Sequence, residues 1–96
     1  MARFDVYEGA GAYLLDCQAD MLSHLETRFV VPLFPSVAVP QAMRLNPTFE
    51  VGGEKVTMAT QLASAVPARE LRSPIASLSE EHAVILNAFD MLLTGY

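Results

Sequence analysis

Few side chains in this sequence are of the types that catalyse reactions or bind metal ions, and their spacing suits neither task. His24 and His82 lie far apart, and neither has a second histidine or a cysteine at metal-ligand spacing, so we expect no metal site. Asp16 and Asp20 could form a pair of catalytic carboxylates, but we interpret them as surface residues that follow a strand. Cys17, the single cysteine, lies in an apolar stretch and is interpreted as a small buried hydrophobe rather than a nucleophile.

Other arrangements that would indicate an enzyme are also missing from the sequence. No Ser/His/Asp or Cys/His set stands out, and the glycines at Gly9-x-Gly11 and Gly52-Gly53 are too few for a phosphate-binding loop. We therefore expect no catalytic residue, no cofactor, and a protein that acts by binding.

Length and composition predict a single soluble domain over residues 1–96. Apolar residues make up 52% of the chain, yet no apolar run is long enough to cross a bilayer, and the N-terminus lacks the apolar core of a signal peptide. We expect a cytoplasmic protein that covers its surplus apolar residues by forming a dimer. The net charge is −5 and the six basic residues are scattered, which argues against direct binding of nucleic acid.

Stretches of alternating or β-branched residues within about 2–72 predict the strands of an antiparallel sheet. The predicted strands cover residues 3–8, 13–18, 28–33, 55–60 and 63–68. Pro32 has no N–H to donate, so we expect the end of this strand to lie at a sheet edge or a bulge. Three prolines between positions 34 and 47 predict a long irregular connection.

Gly52-Gly53 predicts the two-residue loop of a hairpin. A loop at this place puts an opposite-charge pair, an apolar pair and a hydroxyl pair across from each other: Glu50 with Lys55, Phe49 with Val56, and Thr48 with Thr57. Such pairs typically contribute ~0.2–1 kcal/mol each, so they predict the register of the hairpin as well as its loop.

From Ser79 the apolar residues change their period and predict a helix over about 79–94. Ser79 suits the N-cap, and Gly95 suits the position just beyond the helix end. At about 100° per residue, the apolar residues form one wide face that consists of Ile85, Leu86, Ala88, Phe89, Leu92 and Leu93. Met91 falls on the opposite, polar stripe, which is unusual for an apolar residue.

Four apolar residues are candidates for a protein-binding surface. Met21 and Leu22 follow Asp20 in a predicted loop, and Met91 and Tyr96 lie at the end of the helix. Exposed methionine and tyrosine are favoured at protein–protein interfaces. Ordinary core packing is the other interpretation of all four: the sequence favours it for Met21 and Leu22, and it has less support for Met91 and Tyr96.

The order and spacing of several short motifs resemble the CcdB toxins, the poison half of plasmid and chromosomal toxin–antitoxin pairs. The match covers nearly the whole length and consists of Phe4-x-Val6-Tyr7, Asp16-x-Gln18-x-Asp20, Arg28-x-Val30-Val31-Pro32-Leu33, Met58-x-Thr60, Ala63-Ser64, Pro67, Leu78-Ser79, Ile85-x-Asn87-Ala88 and Gly95. The resemblance implies a mainly β (α+β) fold: an SH3-like antiparallel barrel of the CcdB/MazF type with one C-terminal α-helix, formed as a homodimer.

The same resemblance implies a toxin that binds the A subunit of DNA gyrase, traps the cleaved-DNA complex and is neutralised by a CcdA-type antitoxin. It places the gyrase-binding surface on Met21, Leu22 and the end of the helix. There the family's Asn, Phe, Trp and terminal Ile are replaced by Asp90, Leu93, Thr94 and Tyr96, while Gly95 keeps the family's glycine.

Two alternatives to a gyrase poison stay open. The changed helix end, without the Trp, also fits a CcdB-fold protein that binds an antitoxin but does not poison gyrase. The loop at Gly9–Ala12 lacks the basic residues of well-known members, so antitoxin contacts there are expected to differ. A ribonuclease of the MazF type, which shares this barrel, is the second alternative, but the acidic chain would repel RNA unless arginines such as Arg28 and Arg69 converged.

Overall fold

The sheet of this protein is antiparallel throughout. In the computed structural model, which describes residues 2–36 and 44–95, its strands are β1 (Asp5–Glu8), β2 (Tyr13–Asp16), β3 (Thr27–Pro35), β4 (Thr48–Val51), β5 (Glu54–Met58), β6 (Ser64–Pro67) and β7 (Ala76–Ser77). Six of them neighbour one another in the order β4-β5-β3-β2-β1-β7, and β6 pairs with β3 outside that path. The sheet curls into a nearly closed barrel.

β3 is the central strand of the barrel, because it pairs with three other strands. Along one side it runs against β2 over residues 30–33. On its other side, residues 27–30 pair with β6 and residues 33–35 pair with β5. This change of partner along one long strand joins the two halves of the sheet.

Pro32 lies inside β3, and the predicted strand over 28–33 was too short at its C-terminal end. It falls between the segment that pairs with β6 and the segment that pairs with β5. No ladder hydrogen bond in that gap requires the N–H that proline lacks. The carbonyl oxygen of Pro32 still accepts a hydrogen bond from the N–H of Ala59 at 3.0 Å, and the strand continues to Pro35.

The hairpin between β4 and β5 has the predicted loop and the predicted register. Gly52 and Gly53 both have positive φ, 59° and 81°, as a type I′ turn requires. The three cross-strand pairs are Glu50–Lys55, Phe49–Val56 and Thr48–Thr57. Pairing across a short loop depends on nearby residues alone, which is why the sequence predicted it.

The first strands are shorter than predicted. β1 begins at Asp5 rather than Arg3, because Phe4 has a φ of +72°, outside the extended region. Its ring is 2% exposed, so core packing holds this strained backbone in place. β2 ends at Asp16 rather than Gln18, and the two-residue strand β7, which was not predicted, pairs with β1.

The barrel encloses one main apolar core. The most deeply buried apolar side chains of that core are Val6, Leu15, Val31, Leu33, Val56, Met58, Ile85 and Ala88, each 0% exposed. Six come from strands and two from the C-terminal helix. The predicted fold, a mainly β SH3-like barrel with one C-terminal α-helix, is therefore confirmed.

Helix α1 (His82–Thr94) begins three residues later than predicted. The residues Ser79–Glu81 form a 3₁₀ turn, and the residue that precedes α1, Glu81, makes no side-chain cap, so the prediction of Ser79 as N-cap was wrong. Gly95 has a φ of +80° and donates its N–H to the carbonyl of Met91 at 3.1 Å, which confirms it as the residue that ends the helix. Among residues 2–36 and 44–95, no helix has the length and apolar character needed to span a membrane.

Candidate protein-binding site

Helix α1 packs on the barrel through a narrow stripe and leaves much of its apolar surface in solvent. Ile85 and Ala88 are buried, and Phe89 is partly buried. The predicted wide core face was therefore wrong in part, because three of its members are 43%, 41% and 77% exposed: Leu86, Leu92 and Leu93. The periodicity identified an apolar face, but a barrel this small covers only part of it.

Met21 and Leu22 lie in a short 3₁₀ helix, Asp20–Leu22, which we call the Met21 turn. Their side chains are 84% and 42% exposed, and no residue of the turn is buried. Met91, at the other candidate position, is 39% exposed. Core packing, which the sequence favoured for Met21 and Leu22 and which was the alternative for Met91, was therefore wrong for all three residues.

A buried polar network lies behind the Met21 turn. Arg28 and Asp16 are 1% and 0% exposed, and Nε and Nη2 of Arg28 donate to Oδ2 of Asp16 at 2.9 and 2.6 Å. The other carboxylate oxygen of Asp16, Oδ1, accepts the N–H of Gln18 at 3.0 Å. The interpretation of Asp16 as a surface residue was wrong, because Arg28 compensates its charge inside the protein.

Gln18 connects this network to the Met21 turn. Its side-chain Oε1 accepts the N–H of Phe29 at 3.0 Å, and its Nε2 donates to the carbonyl of Leu22 at 2.9 Å. From the N-terminal side, the N–H of Arg3 donates to Oδ1 of Asp20 at 2.7 Å. Sequence reasoning quoted Gln18 only within the motif Asp16-x-Gln18-x-Asp20 and assigned it no part in the site. Its partners are distant in sequence, so the spacing carried no signal of this role.

Phe29 also connects β3 to helix α1. Its ring, 39% exposed, packs against the ring of Phe89 with the centroids 5.7 Å apart and the planes inclined at 43°. The N–H of the same residue is bonded to Gln18. The Met21 turn and helix α1 are therefore linked through Gln18 and Phe29 by three consecutive contacts: Leu22 with Gln18, Gln18 with Phe29, and Phe29 with Phe89.

The helix end carries the remaining residues that the resemblance assigned to gyrase binding. Asp90, Leu93, Thr94 and Gly95 are all exposed, and Tyr96 lies outside the described residues. The hydroxyl of Thr94 donates to the carbonyl of Asp90 at 2.7 Å. The carboxylate of Asp90 adds a negative charge near the helix C-terminus, where the dipole is already negative.

The candidates for catalysis do not come together in the described residues. Asp16 is bonded to Arg28, whereas Asp20 is bonded to the N–H of Arg3, so they do not form a carboxylate pair. Burial raises the pKa of the Cys17 thiol to about 12, and the charge of Asp16 also raises it. The thiol is therefore protonated at neutral pH and a poor nucleophile. Across residues 2–36 and 44–95, no group of three His, Cys, Asp or Glu side chains is placed to hold a metal ion.

Comparison of the sequence with known proteins identifies a family. A comparison with curated protein sequences gave no match. The sequence model of one family, described as CcdB protein, matches residues 3–95. That range contains the Met21 turn, the buried network and helix α1 with Gly95. The chain therefore belongs to the CcdB family of toxin–antitoxin proteins.

Proposed function

We propose that this protein is a toxin that binds the A subunit of DNA gyrase, traps the cleaved-DNA complex and is neutralised by a CcdA-type antitoxin. The observation that carries the proposal is the exposure of Met21 and Leu93, at 84% and 77%, in positions that correspond to the family's gyrase-binding surface. The match to the family over residues 3–95 supports the same conclusion.

Exposed apolar side chains of this size favour a protein partner. Covering one fully contributes ~1.5–3 kcal/mol relative to leaving it in water. Interfaces draw most of their binding free energy from a few such anchors. Met21 and Leu93 are the most exposed of the large apolar side chains that the structure describes, so they are the strongest anchors available. The proposed toxin acts by occupying gyrase and needs no catalytic group of its own.

The proposal includes a homodimer in the cytoplasm. Besides Met91 and Leu93 at its end, helix α1 carries three exposed large apolar residues: Val84, Leu86 and Leu92. A second copy of the chain is the partner that would cover part of this surface at all times. Sedimentation or light scattering at micromolar concentration is expected to give twice the mass of one 10.5-kDa chain. The mass of a single chain would contradict the dimer.

The ribonuclease alternative has less support. Arg28, one of the two arginines that an RNA-binding surface would need, is 1% exposed and paired with Asp16. It would have to break a buried ion pair to reach a phosphate, which is costly for both charges. Among the described residues, fewer positively charged side chains are therefore accessible to RNA than the sequence suggested.

A gyrase cleavage assay tests the main proposal. Purified protein is mixed with gyrase and supercoiled plasmid, and linear DNA is measured after denaturation. Linear DNA is expected to accumulate with the unaltered protein. Met21→Ala is expected to need roughly tenfold more protein, whereas Ile75→Ala, which shortens a 47% exposed residue outside the proposed surface, is a matched control without effect. If no linear DNA accumulates and no gyrase complex forms, the proposal is wrong.

A protein that binds an antitoxin without poisoning gyrase is the second candidate, and the exposed carboxylate of Asp90 favours it. Expression in cells with sensitive and with resistant gyrase separates the two functions. Killing of the sensitive cells alone supports the poison. Survival of both supports the second candidate.

A further inference from the structure

Gln18 belongs to the buried polar network, and its side chain also reaches the Met21 turn. It is 8% exposed, and it uses both ends of its amide, Oε1 for the N–H of Phe29 and Nε2 for the carbonyl of Leu22. Its own N–H is held by Asp16, which is held by Arg28. A continuous chain of hydrogen bonds thus runs from an ion pair inside the protein to the carbonyl of an exposed turn.

Few interactions besides those of Gln18 connect the Met21 turn to the rest of the described structure. The 3₁₀ helix Asp20–Leu22 buries no side chain and has no side-chain N-cap bond. Every residue from 20 to 27 is exposed. Apart from Gln18, the turn is tied to the rest of the protein by the bond from the N–H of Arg3 to Asp20. Apolar packing, which fixes most turns, therefore contributes less here, and the part-buried hydrogen bond from Gln18 to Leu22 contributes more.

We propose that Gln18 is a positioning residue that fixes the Met21 turn relative to β3, and that this preorganisation strengthens the proposed gyrase contact. The second half of this inference rests on the proposed function. A partner that meets a fixed turn does not have to immobilise it on binding, so less ordering entropy is lost. Because Phe29 contacts both Gln18 and Phe89, the same amide keeps the Met21 turn in register with helix α1.

Amide hydrogen exchange tests the positioning without gyrase. Gln18→Met keeps the size of the side chain and removes both hydrogen bonds, whereas Gln18→Glu keeps an acceptor for Phe29 but, when ionised, cannot donate to Leu22. The N–H groups of Ser23 and Leu25, which bond to carbonyls within the turn at 3.0 and 3.1 Å, report on it. In both variants these amides are expected to exchange roughly tenfold faster, because one or more hydrogen bonds that hold the turn are lost. The amides of the β4–β5 hairpin should not change. Unchanged exchange at Ser23 and Leu25 would overturn the proposal.

A double-variant comparison tests the link to gyrase binding. Gln18→Met is expected to weaken the gyrase complex roughly tenfold, and to weaken it no further when Met21→Ala is already present. Val56→Ala, which opens space in the core at a 0% exposed site on β5, lowers stability without touching the turn and serves as the matched control. If Val56→Ala weakens gyrase binding as much as Gln18→Met does, Gln18 does not position the gyrase contact. The same conclusion follows if the effects of Gln18→Met and Met21→Ala on gyrase affinity are fully additive. If the unaltered protein itself does not bind gyrase, the proposed function fails, and the exchange measurement alone decides the role of Gln18.

Discussion

Arg28 and Asp16 form an ion pair inside the barrel, with Nη2 of the guanidinium 2.6 Å from Oδ2 of the carboxylate. Both oxygens of the carboxylate are used, because Oδ1 accepts the N–H of Gln18. Taking a charge out of water costs several kcal/mol per ion, and the attraction between the two ions offsets this only while both are present. Removing one of the two side chains should therefore lower the free energy of unfolding far more than removing both.

Asp16→Ala is expected to lower the free energy of unfolding by about 3–5 kcal/mol, because the guanidinium of Arg28 is left buried and unpaired. The double variant Asp16→Leu/Arg28→Met removes both charges. Its loss of unfolding free energy should be clearly smaller than the sum of the losses in the two single variants. Urea denaturation followed by circular dichroism measures all three. Simple additivity would mean that the two side chains contribute independently.

Cys17 should make the stability of the protein depend on pH above neutrality. Burial and the charge of Asp16 raise the pKa of its thiol from 9.0 to about 12 in the folded chain. Between these two values the folded protein keeps a proton that the unfolded chain has released. Stability from this group is thus fully present below pH 9 and falls by ~1.4 kcal/mol per pH unit as the pH rises toward 12.

The control for this titration is Cys17→Ala, which removes the thiol and leaves every other titratable group of the chain in place. The difference between the two proteins, measured by denaturation from pH 7 to pH 11, isolates the thiol. A native thiol that reacts with a disulfide reagent at pH 8 as fast as in the denatured chain would contradict a raised pKa.

Features that depend on neighbouring residues could be predicted from the sequence, and features that depend on distant partners could not. The β4–β5 register follows from two glycines and three facing pairs, and the helix end follows from Gly95. Asp16 looked like a surface carboxylate because its partner, Arg28, is 12 residues away on another strand. The gap between β6 and β5 that accommodates Pro32 is a property of the whole sheet, so the extension of β3 to Pro35 could not be predicted.

The same limit applies to the candidate site. Hydrophobic periodicity identified the apolar residues of helix α1, but it could not show that Leu93 is exposed while Ile85 is buried. Whether Met21 packs in the core or projects from it also depends on what surrounds it. The resemblance supplied the positions of the site, whereas Gln18 and Phe29, which connect its two parts, became evident only from the contacts.

The residues beyond helix α1 should matter more for toxicity than for stability. A chain that ends at Thr94 loses the hydrogen bond from the N–H of Gly95 to Met91, and a Cβ added at Gly95 would meet no atom within 4 Å, so little packs there. Removing Gly95 and Tyr96 is expected to lower Tm by only a few degrees, equivalent to ~1 kcal/mol, while toxicity is lost. Thermal melts and growth assays measure the two effects. A large drop in Tm with toxicity intact would refute this prediction.

Asp90 should weaken both the helix and the proposed gyrase contact. Asp90→Asn restores the family's amide and removes a negative charge near the negative end of the helix dipole, so α1 is expected to gain ~0.3–1 kcal/mol at low salt. Adding Thr94→Trp restores a large aromatic anchor at the exposed end. Interface tryptophans typically contribute ~2 kcal/mol or more, so the double variant should bind gyrase more than tenfold tighter than the unaltered protein.

The matched control for Asp90→Asn is Glu80→Gln, which changes the net charge by the same amount near the other end of α1. Glu80 lies in the 3₁₀ turn before the helix, where a negative charge is favourable, so this control should leave stability unchanged or slightly lower and gyrase affinity unaltered. If Glu80→Gln raises gyrase affinity as much as Asp90→Asn does, the gain in affinity comes from the change in net charge. No tightening by Asp90→Asn/Thr94→Trp would exclude the helix end from the gyrase contact and leave the Met21 turn as its only described part.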